Sequence, residues 1–279
     1  MVEPEIIPPP LRRMKRQREY HPVGHCIYHA NEDYIGSLTL EHIIPESLGG
    51  MLESPAASCP ACQVITSAIE GHNARRLFQP LRRQFNLPRK SKGKARREER
   101  EQEQFVVVVD GIRRFVPANE YPGIIVSLVF PMPTILLGIP PELSDFSGGG
   151  VNIALLPEYG ERLNALRAKY GNEVKFLSGA SAETIARFLA KIAHAYTIAE
   201  IGYGKFTPYL LGIIRGQDPR LMHHLIGSAM GDAPKGDDLH DIDILSPTVF
   251  GYPRLIVVKM QLFSNLCLPV HYVVAGERL

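Results

Sequence analysis

Two short pairs of metal-binding residues place the strongest constraint on the fold of this chain. The first pair is Cys26 and His29, the second is Cys59 and Cys62, and two residues separate the members of each pair. Thiolates and imidazole nitrogens are the usual ligands of tetrahedral zinc, and two such pairs on either side of a loop supply all four. The sequence therefore predicts a structural zinc ion, with His25 as a less well-spaced alternative to His29.

A carboxylate and a histidine stand side by side in the loop between the two pairs. Glu41 and His42 begin a Glu-His-Ile-Ile-Pro segment, and Gly49 and Gly50 follow it. Histidine is the side chain whose ordinary pKa lies nearest neutrality, so a histidine held in a rigid loop suits a general base. The segment is a candidate nuclease core. The alternative is a histidine that only orients the hairpin, beside a glutamate that pairs with an arginine.

This combination of motifs resembles the HNH endonucleases, the ββα-metal group, in a bacterial branch with the same Glu-His-Ile-Ile-Pro and Gly-Gly steps between two knuckles. The resemblance covers roughly residues 21–90. The chain departs from the family at two places. The segment 53–58 contains no asparagine where the family has one, and Gln63 stands where the family usually has histidine or asparagine.

The resemblance implies a metal-dependent hydrolysis of phosphodiester bonds. His42 is then the general base, and Glu41 is a ligand of a catalytic Mg²⁺ or Mn²⁺ ion. The second ligand comes from the following helix, where Gln63 has the family position and Glu70 has the favourable charge. Seven residues of helix span about 10 Å, so we expect only one of these two to bind the ion. The zinc site stays structural, because four protein ligands leave no position for water.

Positive charge is concentrated just after the two knuckles. The net charge is only +2, yet a basic run extends through residues 75–97. Such a run neutralises phosphates and releases counterions, which gives affinity for nucleic acid, although a solvated linker has the same composition. We expect double-stranded DNA as the partner. The candidate contacts nearest the knuckles are Arg75, Arg76, Arg82, Arg83, Arg89 and Lys90.

The sequence predicts an α+β protein in four segments. Residues 1–20 form a flexible basic arm, and residues 21–88 form a zinc-stapled HNH ββα-metal domain. Residues 89–104 are a charged linker without apolar periodicity. Residues 105–279 form a larger α+β accessory or regulatory domain with mainly antiparallel strands. This last part is also the candidate surface for a homodimer or a regulatory partner.

Several local patterns predict individual elements of the structure. In the first part we expect a strand over residues 38–45, a helix capped by Ser58, and a bend or break at Gly71 or Pro80. In the second part, Asp110 and Gly111 predict a hairpin between strands 105–109 and 112–116. Further expected elements are strands at 124–130 and 134–138, a helix starting at Ser181, and a closing pair of strands at 255–263 and 269–275.

Composition indicates where the protein works. No apolar stretch is long enough and free enough of proline to span a membrane, and no export signal is evident, so we expect a cytoplasmic protein. Three of the four cysteines belong to the knuckles, which suits a metal in a reducing compartment. His194 lies beside the apolar face of a predicted helix, where a half-buried structural histidine is expected in preference to a second active site.

The sequence thus leads to an HNH endonuclease with a structural zinc ion, suited by analogy to phage defence or to mobile elements. The alternative is a zinc-containing DNA-binding module without catalytic activity, whose C-terminal domain mediates protein interactions. The missing asparagine and Gln63 favour the second reading. The retained Glu41 and His42 favour the first, because a pure binding module has no use for a base beside a carboxylate.

Overall fold

The computed structural model describes residues 19–29, 34, 36–88, 104–144, 149–156, 158–177, 179–230, 238–246 and 248–279. Nearly all of the predicted basic arm and of the predicted charged linker, including Arg89 and Lys90, lie outside the described residues.

The first part of the chain forms a strand pair followed by two helices. Gly49, with φ of 86°, and Gly50 lie in the turn between the strands. A Cβ atom at Gly50 would lie 2.0 Å from the main-chain oxygen of Ile44, so only glycine fits there. The expected strand pair, the glycine turn and the break near Pro80 are confirmed, whereas no break occurs at Gly71, because α1 continues through it to Arg76. The elements are β1 (Thr39–His42), β2 (Glu53–Ser58), α1 (Pro60–Arg76) and α2 (Gln79–Gln84).

The later part of the chain mixes helices with antiparallel strands. Its strands are β3 (Gln104–Val109), β4 (Ile112–Pro117), β5 (Ile124–Val129), β6 (Gly150–Leu155), β7 (Val174–Phe176), β8 (Phe206–Pro208), β9 (Ile226–Ala229), β10 (His240–Ile244), β11 (Leu255–Leu262) and β12 (Val270–Arg278). Its helices are α3 (Tyr159–Tyr170), α4 (Ala182–Ile201), α5 (Leu211–Arg215) and α6 (Met222–Leu225).

Every strand pair among the described residues is antiparallel, and the fold is α+β as predicted. β1 and β2 form a separate two-stranded sheet. The largest sheet has the order β10-β11-β12-β8, with β9 also paired to β12. Two smaller sheets have the orders β4-β3-β7 and β5-β6. No helix in the described ranges has the length and apolar character needed to cross a membrane.

Most of the local predictions for the later part are confirmed, and one is wrong. Asp110 and Gly111 take φ of 50° and 78°, as a two-residue hairpin turn between β3 and β4 requires. Ser181 caps α4 by accepting a hydrogen bond from the N–H of Thr184. The strand expected at 134–138 is instead a 3₁₀ helix, Thr134–Leu137. The preceding prolines at 131 and 133 lack the N–H donors that a strand ladder needs.

Helix α4 lies in the middle of one large hydrophobic core. Every residue of α4 from Ile185 to Ile198 is buried except Arg187, which is half-buried. The same core includes Ile43 and Leu48 from the first part and Val273 from the largest sheet. The division of the chain at residues 89–104 stays a prediction, but the described residues before and after it pack into a common core. The β1-β2-α1 unit is therefore held against α4.

Buried histidines add a pH dependence to this core. His240 is 1% exposed, donates from Nε2 to the main-chain oxygen of Leu48 at 2.9 Å, and accepts at Nδ1 from the N–H of Phe263 at 3.2 Å. Burial lowers the pKa of His240 to about 4. The unfolded chain, with a histidine pKa of about 6.5, therefore binds more protons than the folded chain as the pH falls from about 6.5 to 4. The stability that neutral His240 contributes is therefore fully present above about pH 6.5 and is lost as the pH falls to about 4.

We expect His240→Gln to flatten the fall in stability between pH 7 and pH 4 by about 3 kcal/mol, although the variant is less stable at pH 7. Glutamine keeps a donor for Leu48 and removes the titrating group. Urea unfolding at a series of pH values measures the slope, with the exposed His21→Gln as the matched control. Equal slopes in His240→Gln and wild type would contradict the prediction.

Candidate metal centre and adjoining acidic site

The two predicted knuckles come together in the structure. The ligand atoms of Cys26, His29, Cys59 and Cys62 all lie within 4.8 Å of one another. The Sγ atom of Cys59 lies 3.9 Å from Nδ1 of His29. This is the one group of three or more histidine, cysteine or acidic side chains with metal-site spacing in the described part of the chain. His25 lies outside the group and stacks on Tyr203, so the choice of His29 over His25 is confirmed.

Local backbone structure holds the four ligands. The segment before Cys26 runs beside β2, with hydrogen bonds from the N–H groups of Val23 and Ile27 to Pro55 and Ala57. Cys59, and not the predicted Ser58, is the N-cap of α1, and its sulfur accepts from the N–H of Cys62 at 3.4 Å. A thiolate is a strong acceptor, so a cysteine ligand can satisfy the orphan donors that serine was expected to satisfy.

The chemistry of the four side chains suits a dication such as zinc. Cys26, Cys59 and Cys62 are all buried, and their sulfurs are close together. Burial, and to a smaller extent repulsion from Cys26, raise the pKa of Cys62 to about 12. Three thiols in such surroundings become thiolates when a positive charge is bound between them. The cluster can therefore hold a structural metal, with His29 as the fourth ligand.

His42 ends β1 on the rim of this unit. Its cross-strand partner is Glu53 on β2, and Nδ1 of His42 lies 3.7 Å from Oε1 of Glu53. The Nδ1 atom is buried and has no hydrogen-bond partner, whereas the side chain as a whole is 30% exposed. The exposed part of the ring is therefore the part that includes Nε2. Glu53 can orient the ring, a role that was not assigned to it from the sequence, although its position opposite His42 in a strand pair was a usable signal.

Glu41 points to the opposite side, into the core. It is 4% exposed, and its Oε1 accepts from the hydroxyl of Tyr28 at 2.9 Å. The same oxygen lies 2.6 Å from Nζ of Lys191, a fully buried residue of α4. Nζ of Lys191 also lies 2.6 Å from Oε1 of Glu70 on α1. The structure thus brings Glu41 and Glu70 together as predicted for a shared cation, but the cation is a lysine ammonium.

The charges of this group are consistent with an ion pair. Burial alone would lower the pKa of Lys191, but the Glu41 and Glu70 carboxylates outweigh it, and the pKa is raised. Burial and the Glu41 carboxylate raise the pKa of Tyr28, which therefore stays a hydroxyl donor. Lys191 remains charged at neutral pH, and the two carboxylates compensate it.

These residues do not suit the predicted Mg²⁺ or Mn²⁺ ion held by Glu41 and a helix residue. Mg²⁺ requires near-octahedral oxygen ligands and usually keeps several waters. Here the space between Glu41 and Glu70 contains the ammonium of Lys191, and Glu41 is buried. Gln63, the alternative second ligand, is exposed on α1. The arrangement thus does not favour a metal ion between Glu41 and Glu70, and the expectation that Glu41 binds a catalytic metal together with Gln63 or Glu70 stays a prediction.

The predicted nucleic-acid contacts differ in exposure. Arg75 and Arg76 are exposed in the last turn of α1. Arg82 is half-buried and donates to the main-chain oxygens of Ser47 and Pro88, which gives it a structural role. Arg83 is half-buried beside it on α2. Arg75 and Arg76 are therefore the predicted contacts most open to a phosphate backbone.

His194 occupies a more buried position than predicted. It is 1% exposed, and its Nε2 donates to the main-chain oxygen of Ile27 at 2.6 Å. Burial lowers its pKa to about 4, so the ring is neutral. The residue joins α4 to the first knuckle, next to Cys26. The expectation of a structural histidine agrees with this contact, and the half-buried position is corrected to a fully buried one.

Comparison of the chain with models of protein families, with curated proteins and with solved structures gives no match. The geometry of the two sites is therefore the basis for assigning a function.

Proposed function

We propose that the protein is an endonuclease of the HNH type that hydrolyses phosphodiester bonds in nucleic acid, with double-stranded DNA as the expected substrate. The observation that carries the proposal is the position of His42. Its ring is partly exposed at the end of β1, next to a carboxylate, on a strand pair bounded by a four-ligand metal cluster. The order of strand, strand and helix around this cluster supports the ββα-metal arrangement that the sequence predicts.

In the proposed reaction His42 is the general base. Its Nε2 accepts a proton from a water molecule, whose oxygen attacks the phosphorus and displaces the 3′ oxygen. Glu53 faces Nδ1 and favours the tautomer with the proton on that nitrogen, which leaves the lone pair on Nε2 available. A rigid strand end keeps the base in position, because misplacement by a fraction of an ångström lowers the rate. A zinc ion held by Cys26, His29, Cys59 and Cys62 would take no part in the chemistry, since four protein ligands would leave no position for water.

The exposed arginines support nucleic acid as the substrate class. Arg75 and Arg76 extend from the last turn of α1. A guanidinium group can donate two parallel hydrogen bonds to a phosphate group, which gives affinity for nucleic acid that does not depend on base sequence. A low-specificity nuclease joined to a large second region suits a cytoplasmic role in phage defence or mobile elements, with that region as a regulatory or dimer contact. These biological roles belong to the proposal.

A zinc-containing DNA-binding module without catalytic activity is the second candidate. The specific observation in its favour is the Lys191 ammonium between Glu41 and Glu70. Glu41, which the resemblance assigns to a catalytic metal, is then used in a buried ion pair. In this case the basic residues bind DNA and the later part of the chain contacts a partner protein.

Cleavage of supercoiled plasmid separates the two candidates. Wild type should nick the plasmid, and His42→Ala should lower the rate at least about 100-fold, the usual contribution of a general base. Reactions with Mg²⁺, with Mn²⁺ and with no added divalent ion measure whether a metal is needed. His25→Ala is the matched control, since this exposed histidine lies next to a zinc ligand and outside the proposed site.

Zinc content is measured for each variant, so that loss of the structural metal is not mistaken for loss of the base. Salt-dependent binding of DNA by wild type without any cleavage would favour the binding module.

A further inference from the structure

The ammonium of Lys191 lies in a closed set of oxygen acceptors. It contacts Oε1 of Glu41 and Oε1 of Glu70, both at 2.6 Å. It also donates to the main-chain oxygens of His42 and Ile43, the latter at 3.3 Å. These acceptors come from β1 and its continuation and from α1, while the lysine comes from α4. A lysine has three donors, and here they meet four acceptors.

This set of acceptors resembles a cation site more than an ordinary surface ion pair. Lys191 is 0% exposed, Glu41 is 4% exposed and Glu70 is 22% exposed. Two carboxylates and two carbonyl oxygens are the ligand types that hard divalent cations prefer. A single buried ammonium carries half the charge of such a cation, but it is attached to a packed helix. It therefore occupies the position without the loss of freedom that a dissolved ion would suffer on binding.

We infer that Lys191 is the resident cation of the Glu41–Glu70 pair, in the place where the sequence resemblance predicted a divalent metal, and that it positions His42. The main-chain oxygen of His42 is one of its acceptors, so the lysine fixes the strand end from which the imidazole extends. Lys191 is buried and does not reach substrate, so it is a positioning residue. The part of this inference that concerns catalysis rests on the proposed nuclease function. The part that concerns the cation does not.

Other contacts strengthen the link between α4 and the unit that carries His42. His194, three residues after Lys191, donates to Ile27, and Asn73 of α1 donates to the main-chain oxygen of Thr184 at 3.0 Å. The later part of the chain thus contributes the buried charge, and two further hydrogen bonds, on which the His42 strand end depends. The later part of the chain therefore contributes directly to the arrangement around His42, through Lys191.

Binding of Mn²⁺, followed by electron paramagnetic resonance on the zinc-loaded full chain, tests the inference without reference to cleavage. Wild type should hold no Mn²⁺ with a dissociation constant below about 1 mM, since a second cation beside the buried ammonium is repelled. Lys191→Ala removes the ammonium and frees the space that it fills, and should gain about one bound Mn²⁺ ion per chain. Adding Glu70→Gln to this variant should weaken the gained site at least 10-fold, because one of its two carboxylates is lost.

Lys169→Ala is the matched control. Lys169 lies 2.7 Å from Glu120, but its side chain is 56% exposed. Its removal leaves a hydrated carboxylate, so no Mn²⁺ site should appear. A gain of binding in both variants would show only that free carboxylates attract Mn²⁺, and would overturn the inference.

Two further results would overturn it. One is a folded Lys191→Ala variant that binds no Mn²⁺. The other is tight Mn²⁺ binding by wild type that Glu70→Gln abolishes, because the acidic pair would then accept a metal despite the lysine. The wild-type measurement decides between lysine and metal even where Lys191→Ala does not fold. If plasmid cleavage fails while the Mn²⁺ results hold, the proposed function is wrong and the assignment of the cation stands.

Discussion

Replacing Cys62 by serine should abolish binding of the zinc ion expected at the four-residue cluster, and should lower the Tm of the protein by on the order of 20 °C. Structural zinc sites in small modules contribute about 10 kcal/mol or more of binding free energy, which is available only to the folded state. In a chain of this size each kcal/mol shifts Tm by about 2 °C. The effect should be large here, because Cys62 and its partners hold the start of α1 against the strand pair.

Cys267→Ser provides the matched control for this variant. Cys267 is the one cysteine outside the metal cluster, and it is partly buried between β11 and β12. Its substitution should leave about one zinc per chain and a Tm close to that of wild type. Zinc content by mass spectrometry and Tm by calorimetry, on both variants and on chelator-treated wild type, give the comparison.

Chelator-treated wild type should behave like Cys62→Ser, and added zinc should restore it. Wild type that contains no zinc, or that keeps its Tm when zinc is withdrawn, would contradict a structural role for the cluster. A fall in Tm of the same size in Cys267→Ser would mean that the cysteine substitution itself, and not the metal, is responsible.

The four-residue metal-binding cluster could be predicted because each of its two ligand pairs is a short, recognisable motif in the sequence. Each knuckle places two ligands within one turn of chain, and the glycines at 49 and 50 determine the turn between them. The hairpin at Asp110 and Gly111 is equally local, since both residues adopt positive φ. The strand expected at 134–138 failed for a local reason too, since an apolar run suggested a strand but the prolines before it could not pair.

The role of Glu41 could not be predicted, because it depends on a residue far away in the sequence. The resemblance assigned Glu41 to a metal, and only the packing of α4 against α1 shows that Lys191 fills that place. A weak signal existed, since Lys191 lies in the mainly apolar stretch of α4 from Ile185 to Ile198. A lysine in such surroundings requires a buried acidic partner, but the sequence alone does not say which one.

Replacing Lys191 by methionine should destabilise the protein by about 3–5 kcal/mol. Methionine fills a similar volume, so the loss comes from charge and not from a cavity. Removing the ammonium leaves the Glu41 carboxylate 4% exposed with Tyr28 as its remaining partner. A buried charge without compensation costs several kcal/mol, whereas the intact pair roughly balances its own desolvation. Urea unfolding of wild type and variant at pH 7, without divalent ions, measures the difference.

A second substitution shows which carboxylate causes the loss. In the Lys191→Met background, Glu41→Gln should restore about 1–3 kcal/mol, because it removes the buried charge and keeps a hydrogen-bonding group. Glu70→Gln should restore less, since Glu70 is 22% exposed and water can solvate its carboxylate. The exposed Lys169→Met variant should keep nearly the stability of wild type, as expected for a surface ion pair.

If Glu41→Gln and Glu70→Gln restore the same free energy of unfolding in the Lys191→Met background, the burial of Glu41 does not determine how much stability is lost. If Lys191→Met lowers the free energy of unfolding no more than Lys169→Met does, the buried interaction of Lys191 with Glu41 and Glu70 does not stabilise the fold. Under the proposed arrangement the order is fixed by burial, because the same lysine balances one carboxylate that water can reach and one that it cannot. Because Lys191 on α4 compensates the buried Glu41 carboxylate, the strand end that carries His42 depends on α4 for its stability. The first part of the chain is therefore stabilised by the later part.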